Sequence, residues 1–332
     1  METTMKHITM KDIAKEAGVS LATVSYALNG NTGVSAAMRQ KILQIAEEFQ
    51  YVPHMSAQIL ARKTTPIVCG LVRSFSGVFS NELWDEMQDE FQKAGYLLVA
   101  VNRLLPELIG SDLFRGIVVL DFDITDQEQA IIDALHAPTV YLVGTHSPAK
   151  AQVMMDNQQA ITLAYGELAK SVHQRLCILS GRETSINNYE RLNTVKKLYS
   201  RDHPGTDVDS VVFSADFSYA NAYDMSADLL ARFDSFLCFN DVMAMAIYKG
   251  AFEKGLVVGR DLSISGFDNS ILAFSASPGL TSVGFDGHQW AQEAVHQFKA
   301  AVRHGSDNIP ATLISPTMNV RESIRYKEIS EN

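Results

Sequence analysis

The stretch MKDIAKEAGVSLATVSYALNG, residues 10–30, decides how the chain begins. Thr9 is a helix-capping residue type, and Ile13, Ala14 and Ala17 share one face of the helix it would start. Gly18 breaks that helix. Ser20 is a second cap type, and Val24, Ala27 and Leu28 form the apolar stripe of the helix that follows. Leu21, Ala22, Ser25 and Tyr26 are left pointing elsewhere. NGNTG at 29–33 is a turn signal. A third helix from Ser35 places Met38, Ile42, Ile45 and Phe49 on one face. A helix, a glycine turn and a second helix opening on serine is the helix-turn-helix arrangement, whose second helix can enter the DNA major groove. A small helical cap on a larger domain has the same pattern, and spacing by itself does not choose.

From Pro66 onward the pattern changes. Short apolar runs alternate with longer amphipathic helices: IVCGLV (67–72), YLLVAV (96–101), GIVVL (116–120), TVYLV (139–143), RLCIL (175–179), SFLCF (235–239) and SISGF (263–267). Runs apolar on both faces and separated by helices indicate parallel sheets covered on both sides. Two groups of runs suggest two doubly wound lobes, with strand carboxyl ends facing a shared cleft where ligands lie. The fold class is therefore α/β, preceded by an all-α head.

Totals limit the function. The 332 residues are 46% apolar and 20% charged, as in an ordinary soluble protein. No run approaches the roughly 18 apolar residues of a membrane helix, and the N-terminus lacks a signal-peptide core, so a cytoplasmic protein is expected. Residues 1–63 carry seven Lys/Arg against five Asp/Glu, or +2, leaving 21 against 33, or −12, for the rest. A mildly basic head on an acidic body excludes a protein that coats nucleic acid with its whole surface. Cys69, Cys177 and Cys238 lie in separate apolar runs and read as buried thiols, not a disulfide framework or metal site. No P-loop, G-x-S-x-G, G-x-G-x-x-G or H-E-x-x-H motif occurs, so no enzyme, metal or cofactor is expected. A lone histidine such as His173 reads as structural or solvated.

The wording is more specific than the pattern. MKDIAKEAGVSLATVSYALNG followed by YVPHMSAQILARKTT (51–65) closely resembles the N-terminus of the LacI/GalR family of bacterial transcriptional regulators. VRSFSGVFSNEL (72–83), MMDNQQA (154–160), FNDVMAMA (239–246), SISGFDN (263–269) and SPTMNVRESI (315–324) extend the likeness in order along the chain. The resemblance implies a helix-turn-helix domain over 1–52, a hinge helix and linker over 53–65, and a two-lobed effector-binding and dimerisation core over 66–332. The first lobe would span about 66–156 plus 286–315. The second would span about 157–285 plus a C-terminal strand. It implies a homodimer on a double-stranded, pseudo-palindromic operator, nucleoid-associated when bound, acting as a repressor under a small effector such as a sugar or sugar phosphate. Two alternatives remain at this stage: control by a partner protein, as in catabolite-control members, and a sugar-binding module without DNA function.

By resemblance, Leu21 and Ala22 choose the half-site, and small apolar side chains there suit thymine methyl groups. Tyr26 stands where many members have an arginine that reads guanine; base contact and packing against the turn are both open. Ser20, Thr23, Ser25 and Asn29 match phosphate-contacting positions. Leu60 matches the hinge leucine that wedges into the central minor-groove step, Ala57 and Ala61 permit close approach, and Arg62 and Lys63 can reach phosphates.

In the core, Arg191, Phe217, Asn240 and Asp268 match effector contacts. Phe75 and Arg73, on the first-lobe loop, are also expected to contact the effector. Arg73 replaces a common proline and suggests an anionic ligand, unless it turns towards solvent or a partner subunit. A surface ion pair with Glu190 or Glu183 is the other reading of Arg191. Asp241 is expected mainly to cap the helix after it. RLLPELIGSDLFR, 103–115, is about a dozen residues shorter than usual in the family, so the helix there must be short or distorted.

Overall fold

The computed structural model describes residues 8–28, 32–51, 65–72, 74–75, 77–111, 113–120, 124–142 and 150–327. They form two compact units, divided between Thr65 and Pro66.

The head has three helices, α1 (Met10–Ala17), α2 (Leu21–Leu28) and α3 (Ala36–Glu48). Local chemistry fixes each end. Thr9 donates its N–H and hydroxyl to Asp12 Oδ2 at 2.8 and 2.7 Å, closing the start of α1. Gly18 takes the left-handed conformation, φ 70°, and lets Val19 N–H reach Ala14 O at 3.0 Å. Ser20 Oγ accepts from Thr23 N–H at 3.1 Å and Ser35 Oγ from Met38 N–H at 3.3 Å, so both act as caps. Ile13, Ala14, Ala17, Val24, Ala27, Ile42, Ile45 and Ala46 bury one small core. The α3 cations bind the carbonyl ends of its neighbours: Arg39 Nη1 donates to Ala27 O and Lys41 Nζ to Ala17 O, both at 3.2 Å. A cation at a helix C-terminus also opposes its negative dipole end.

The body begins with β1 (Ile67–Val72), α4 (Val78–Lys93), β2 (Leu97–Val101), α5 (Pro106–Ile109), β3 (Ile117–Leu120), α6 (Asp126–Ala134), β4 (Thr139–Tyr141) and β5 (Val153–Met155). It continues with α7 (Asn157–Ala169), β6 (Leu176–Ser180), α8 (Ile186–Asp202), a 3₁₀ turn (Val208–Val211), β7 (Val212–Ser214), α9 (Tyr219–Arg232), β8 (Ser235–Cys238), α10 (Asp241–Glu253), β9 (Ser263–Asp268), α11 (Ile271–Ser275) and β10 (Thr281–Phe285). The last elements are α12 (Gly287–His304), β11 (Thr312–Ile314) and β12 (Pro316–Asn319).

Two sheets result. The first, in the order β2-β1-β3-β4, is wholly parallel. The second, β12-β10-β9-β8-β6-β7, is parallel except for β12, which runs antiparallel to β10. Strand order reverses beside β1 in one sheet and beside β6 in the other, which opens a crevice at the carboxyl ends there. β5 and β11 pair with one another, with Val153 opposite Thr312 and Met155 opposite Ile314. Helix α12 packs on α4 in the first lobe, whereas β10 and β12 belong to the second sheet. The chain therefore passes between lobes after β5, after β10 and after β11.

Cys69, Cys177 and Cys238 are fully buried on β1, β6 and β8, and burial raises the Cys69 thiol to about 12. The short segment after β2 makes a single helical turn, α5, with Ile109 buried and Leu105 and Leu108 exposed. Leu97 and Val99 on edge strand β2 are also exposed. A longer helix would supply the apolar cover that one turn cannot.

Ile42 is fully buried where the three head helices meet. Truncating such a side chain costs about 2–4 kcal/mol, a large part of the stability of so small a core. Ile42→Ala should lower the melting temperature of the head, followed by limited proteolysis within residues 10–51, while leaving the thermal unfolding of the body in place.

Candidate functional site

Two surfaces carry candidate residues. On the head, Leu21 and Tyr26 are 42% and 49% exposed and Ala22 is exposed. Val24 and Ala27 face the core, so α2 presents these three side chains outward. Ser20 and Thr23 hydroxyls lie 2.8 Å apart at the amino end of α2, where backbone N–H groups and the helix dipole favour an anion. The Tyr26 ring runs beside the turn at Gly33, close enough to touch a methyl group placed there (3.8 Å), while half of it stays open to solvent. Asn29, Ala57, Leu60, Ala61, Arg62 and Lys63 lie outside the described residues.

In the body, a cavity of about 320 Å³ lies between the lobes. Small-molecule sites typically occupy about 300–1,000 Å³. Its walls come from strand carboxyl ends: Leu120 at the end of β3, Arg182 after β6, Phe217 after β7, Asn240 after β8 and Asp268 on β9. Phe79, Val242 and Trp290 add apolar surface. Trp290 is held by its Nε1–H, which donates to Val153 O at 3.2 Å.

Arg191 is 3% exposed and so is no surface ion-pair residue. Its Nε donates to Asn157 Oδ1 at 2.8 Å, Nη1 to Phe239 O at 2.6 Å and Nη2 to Met155 Sδ at 3.2 Å. The guanidinium carbon sits 3.4 Å from the centroid of the Phe267 ring. A charge buried this deeply persists because hydrogen bonds and a ring face replace its water. Asn157 in turn donates to Asn187 Oδ1 and Glu190 Oε2 at 2.9 and 2.7 Å.

Phe217 lies beside Arg191, its ring centroid 6.0 Å from the guanidinium carbon. Asp216 and Phe217 both have positive φ, 58° and 57°, which turns the loop after β7 so that the ring lies over Gly181. A Cβ on Gly181 would stand 2.1 Å from that ring, so glycine is required there. Across the cleft, Ile271 N–H at the start of α11 donates to Glu82 Oε1 of α4 at 3.0 Å, linking the lobes.

Three readings of the sequence need correction or completion. Asp241 does not cap α10. Asn240 does, with its Oδ1 accepting from Met243 N–H at 2.9 Å while its amide donates to Phe217 O at 3.3 Å. The extended backbone at Asn240, φ −156° and ψ 164°, makes it the cap position. Asp241 is instead fully buried and accepts from Ser270 N–H, Ser270 Oγ and Ser282 Oγ at 2.8, 2.9 and 2.6 Å, fixing the loop after β9. Phe75 is 56% exposed and is absent from the described cavity wall, since its short loop turns the ring to solvent. Arg182 lines the cavity and went unremarked in the sequence. Arg73, Val143 and Gly144 lie outside the described residues. His173 is structural, its Nδ1 3.0 Å from Ser263 Oγ.

Residues 9–54 match the family described as bacterial regulatory proteins, lacI family, and residues 165–324 match the periplasmic binding protein-like domain. Catabolite control protein A of Priestia megaterium is 30% identical over 292 residues, 83% of this chain and 87% of that protein. The chain belongs to the LacI family. This LacI-family protein is a DNA-binding transcriptional regulator with a ligand-binding body. The repressor PurR of Vibrio atlanticus is 28% identical over 289 residues, 83% of this chain and 86% of that one. The relatives are transcriptional regulators rather than enzymes. Among solved structures, the lac repressor dimer bound to operator and an anti-inducer shares the fold, with a TM-score of 0.82 at 22% identity over 96% of this chain and 100% of that one. A CelR–cellobiose complex shares it at 0.72 and 22%, over 95% and 99%. Among the described residues no helix is long and apolar enough to cross a membrane.

Burial raises the Asp241 carboxyl to about 6, with the bonds from Ser282 and Ser270 pulling the other way. The folded state therefore holds the proton more tightly than the unfolded state, whose carboxyl titrates near 4. Stability contributed by this group is full below that value and is lost as pH rises through about 6. The stability of the wild type relative to Asp241→Asn should fall between pH 4 and 7 in paired urea titrations.

Proposed function

We propose that the protein represses transcription as a homodimer on a pseudo-palindromic operator, under a small polyhydroxylated effector, a sugar or sugar phosphate, bound in the interlobe cavity. The outward face of α2 carries this reading. Leu21 and Ala22 would meet thymine methyl groups, Tyr26 a base edge or the sugar-phosphate wall, and Ser20, Thr23, Ser25 and Asn29 the phosphates. Two such heads on one dimer require two half-sites related by a two-fold axis. The body offers a surface for pairing. Phe252 and Phe274 are 77% and 74% exposed on α10 and α11, which pack together, and Tyr219 and Ile271 lie open on α9 and α11. Exposed rings of this number suit an interface better than solvent.

The hinge would couple body and head. A helix as short as residues 53–65 allow is unstable alone in water. DNA and a partner helix would support it, with Leu60 wedged in the minor groove, Ala57 permitting close approach, and Arg62 and Lys63 on phosphates. Arg191, Phe217, Asn240 and Asp268 would hold the effector. A ligand that prefers one lobe arrangement shifts the separation of the hinges, and so operator affinity.

Selection from random duplexes at near-physiological salt should return a pseudo-palindrome; enrichment without sequence preference would overturn the reading. On that duplex, Leu60→Ala should bind at least about tenfold more weakly and bend it less. Unchanged bending would remove the wedge.

A further inference from the structure

The second lobe has a hollow of its own, at the end of its sheet away from the cleft. It measures about 240 Å³ and lies where the amino ends of β6 and β8 meet the last turns of α7 and α8. Tyr165, Leu168 and Ser235 are buried around it and Leu176 is half-buried. Ala169, Gln174, Asp202 and His203 stand exposed at its edge. An apolar cavity of about 150 Å³ is enough to hold benzene. This hollow therefore has room for one ring and a short substituent.

Its polar groups are mainly acceptors. Ser235 is 2% exposed, yet its hydroxyl has no hydrogen-bond partner among the described residues. Buried hydroxyls rarely go without one, so this group is open to a partner that the fold does not supply. Gln174 Nε2 donates to Ser171 O and His173 O, which orients the amide and leaves Oε1 as an acceptor. His203 Nδ1 lies 3.2 Å from Tyr199 O. A carbonyl only accepts, so Nδ1 carries the hydrogen and Nε2 of the neutral ring is an acceptor. The ring is held by stacking on Tyr199, with centroids 4.3 Å apart. Arg201 bonds both oxygens of Asp202, at 2.7 and 3.0 Å, and holds its carboxyl below the usual range, so it too accepts. Acceptors set over Leu168, Leu176 and the Tyr165 ring suit a ligand with an apolar body and hydrogen-bond donors.

The position of the hollow gives it a second property. Helices α7 and α8 pack along one another. At their amino ends Asn157 of α7 joins Arg191, Asn187 and Glu190 of α8, which is the floor of the cleft. Near their carboxyl ends Tyr165 of α7 bonds Asp202 of α8, beside the hollow. Asn157 and Tyr165 are eight residues, roughly 12 Å, apart along one helix. We propose that the hollow is a second ligand site, for a compact one-ring compound bearing N–H or O–H donors. Its occupant would tie α7 to α8 at one end and so brace the cleft floor at the other. The site does not depend on which molecule fills the cleft.

The test uses the full-length protein, as wild type, S235A and A169W. Thermal unfolding is followed against tyramine, a ring with donors at both ends, toluene, the ring without donors, and methylamine, a donor without the ring. Without ligand both variants should melt as the wild type does, since the Ser235 hydroxyl is unbonded and Ala169 is exposed. Tyramine should stabilise the wild type saturably, at concentrations at least about tenfold below those toluene or methylamine need. S235A should weaken the tyramine response about threefold to tenfold, the loss of one hydrogen bond. A169W, which sets a large ring over the hollow, should abolish it. No saturable tyramine response, or the same response in all three proteins, overturns the site. So does a marked loss of stability in ligand-free S235A, which would give the hydroxyl an internal partner. Equal responses to tyramine and toluene overturn the donor requirement. The brace is read by hydrogen exchange. Tyramine should slow exchange at residues 157–161 and 186–191 in the wild type but not in A169W. Slowing confined to residues 165–176 and 202–203 would overturn the coupling and leave the site.

Discussion

The buried guanidinium of Arg191 is the constraint around which the cleft is arranged. Removing such a charge from water is costly, and an unpaired one would not stay. Its bonds reach Met155 at the end of β5, Asn157 at the start of α7 and Phe239 just after β8. Those groups belong to different elements, and the first two flank a point where the chain changes lobes. Satisfying one cation therefore sets the floor of the cavity and the exit of a crossing strand together. A ligand entering the cleft meets a rigid base on this side. On the other, the contact between Glu82 and Ile271 N–H is solvent-exposed and open to exchange with water.

Charge is distributed so that each surface faces its own problem. The head is slightly basic, and two of its cations, Arg39 and Lys41, close helix ends. On the proposed reading, α2 would meet DNA through hydroxyls, backbone and apolar contacts as much as through long-range attraction. The acidic body repels polyanions as a whole, which disfavours DNA contact there and favours it at the head.

Local patterns made the head legible. The apolar steps of α1 and α3 and the caps at Thr9, Ser20 and Ser35 are short-range physics, and the structure repeats them residue by residue. Strands β1, β2, β3, β4, β6, β8 and β9 were legible for the same reason, lying in apolar runs, whereas β10, whose run TSVGF mixes Thr, Ser and Gly with two apolar residues, was not. Strands β5, β7 and β11, three residues each and not set in a longer apolar run as β4 is, carry too little pattern to be found. The cavity was legible where family wording was strong, at Arg191, Phe217, Asn240 and Asp268. It was illegible where tertiary geometry decides. Two adjacent residues, Asn240 and Asp241, could each have capped α10, and backbone dihedrals settled it. Arg182 has no local signal; its place comes from the end of β6 meeting the loop that carries Phe217. Phe75 resembled a wall residue in sequence, but a turn of chain sends it outward.

The three passages between lobes also govern the order in which the molecule can be made. The first lobe lacks α12 and β11 until residues 287–314 exist, and the second lacks β12 until residues 316–319 follow. On the ribosome the head can fold as it emerges, since its whole core lies within residues 10–51. The first lobe, by contrast, waits for a covering helix and the second for an edge strand until nearly all the body has been synthesised. The nascent chain thus spends most of its translation with its DNA-reading head complete and its control domain unfinished.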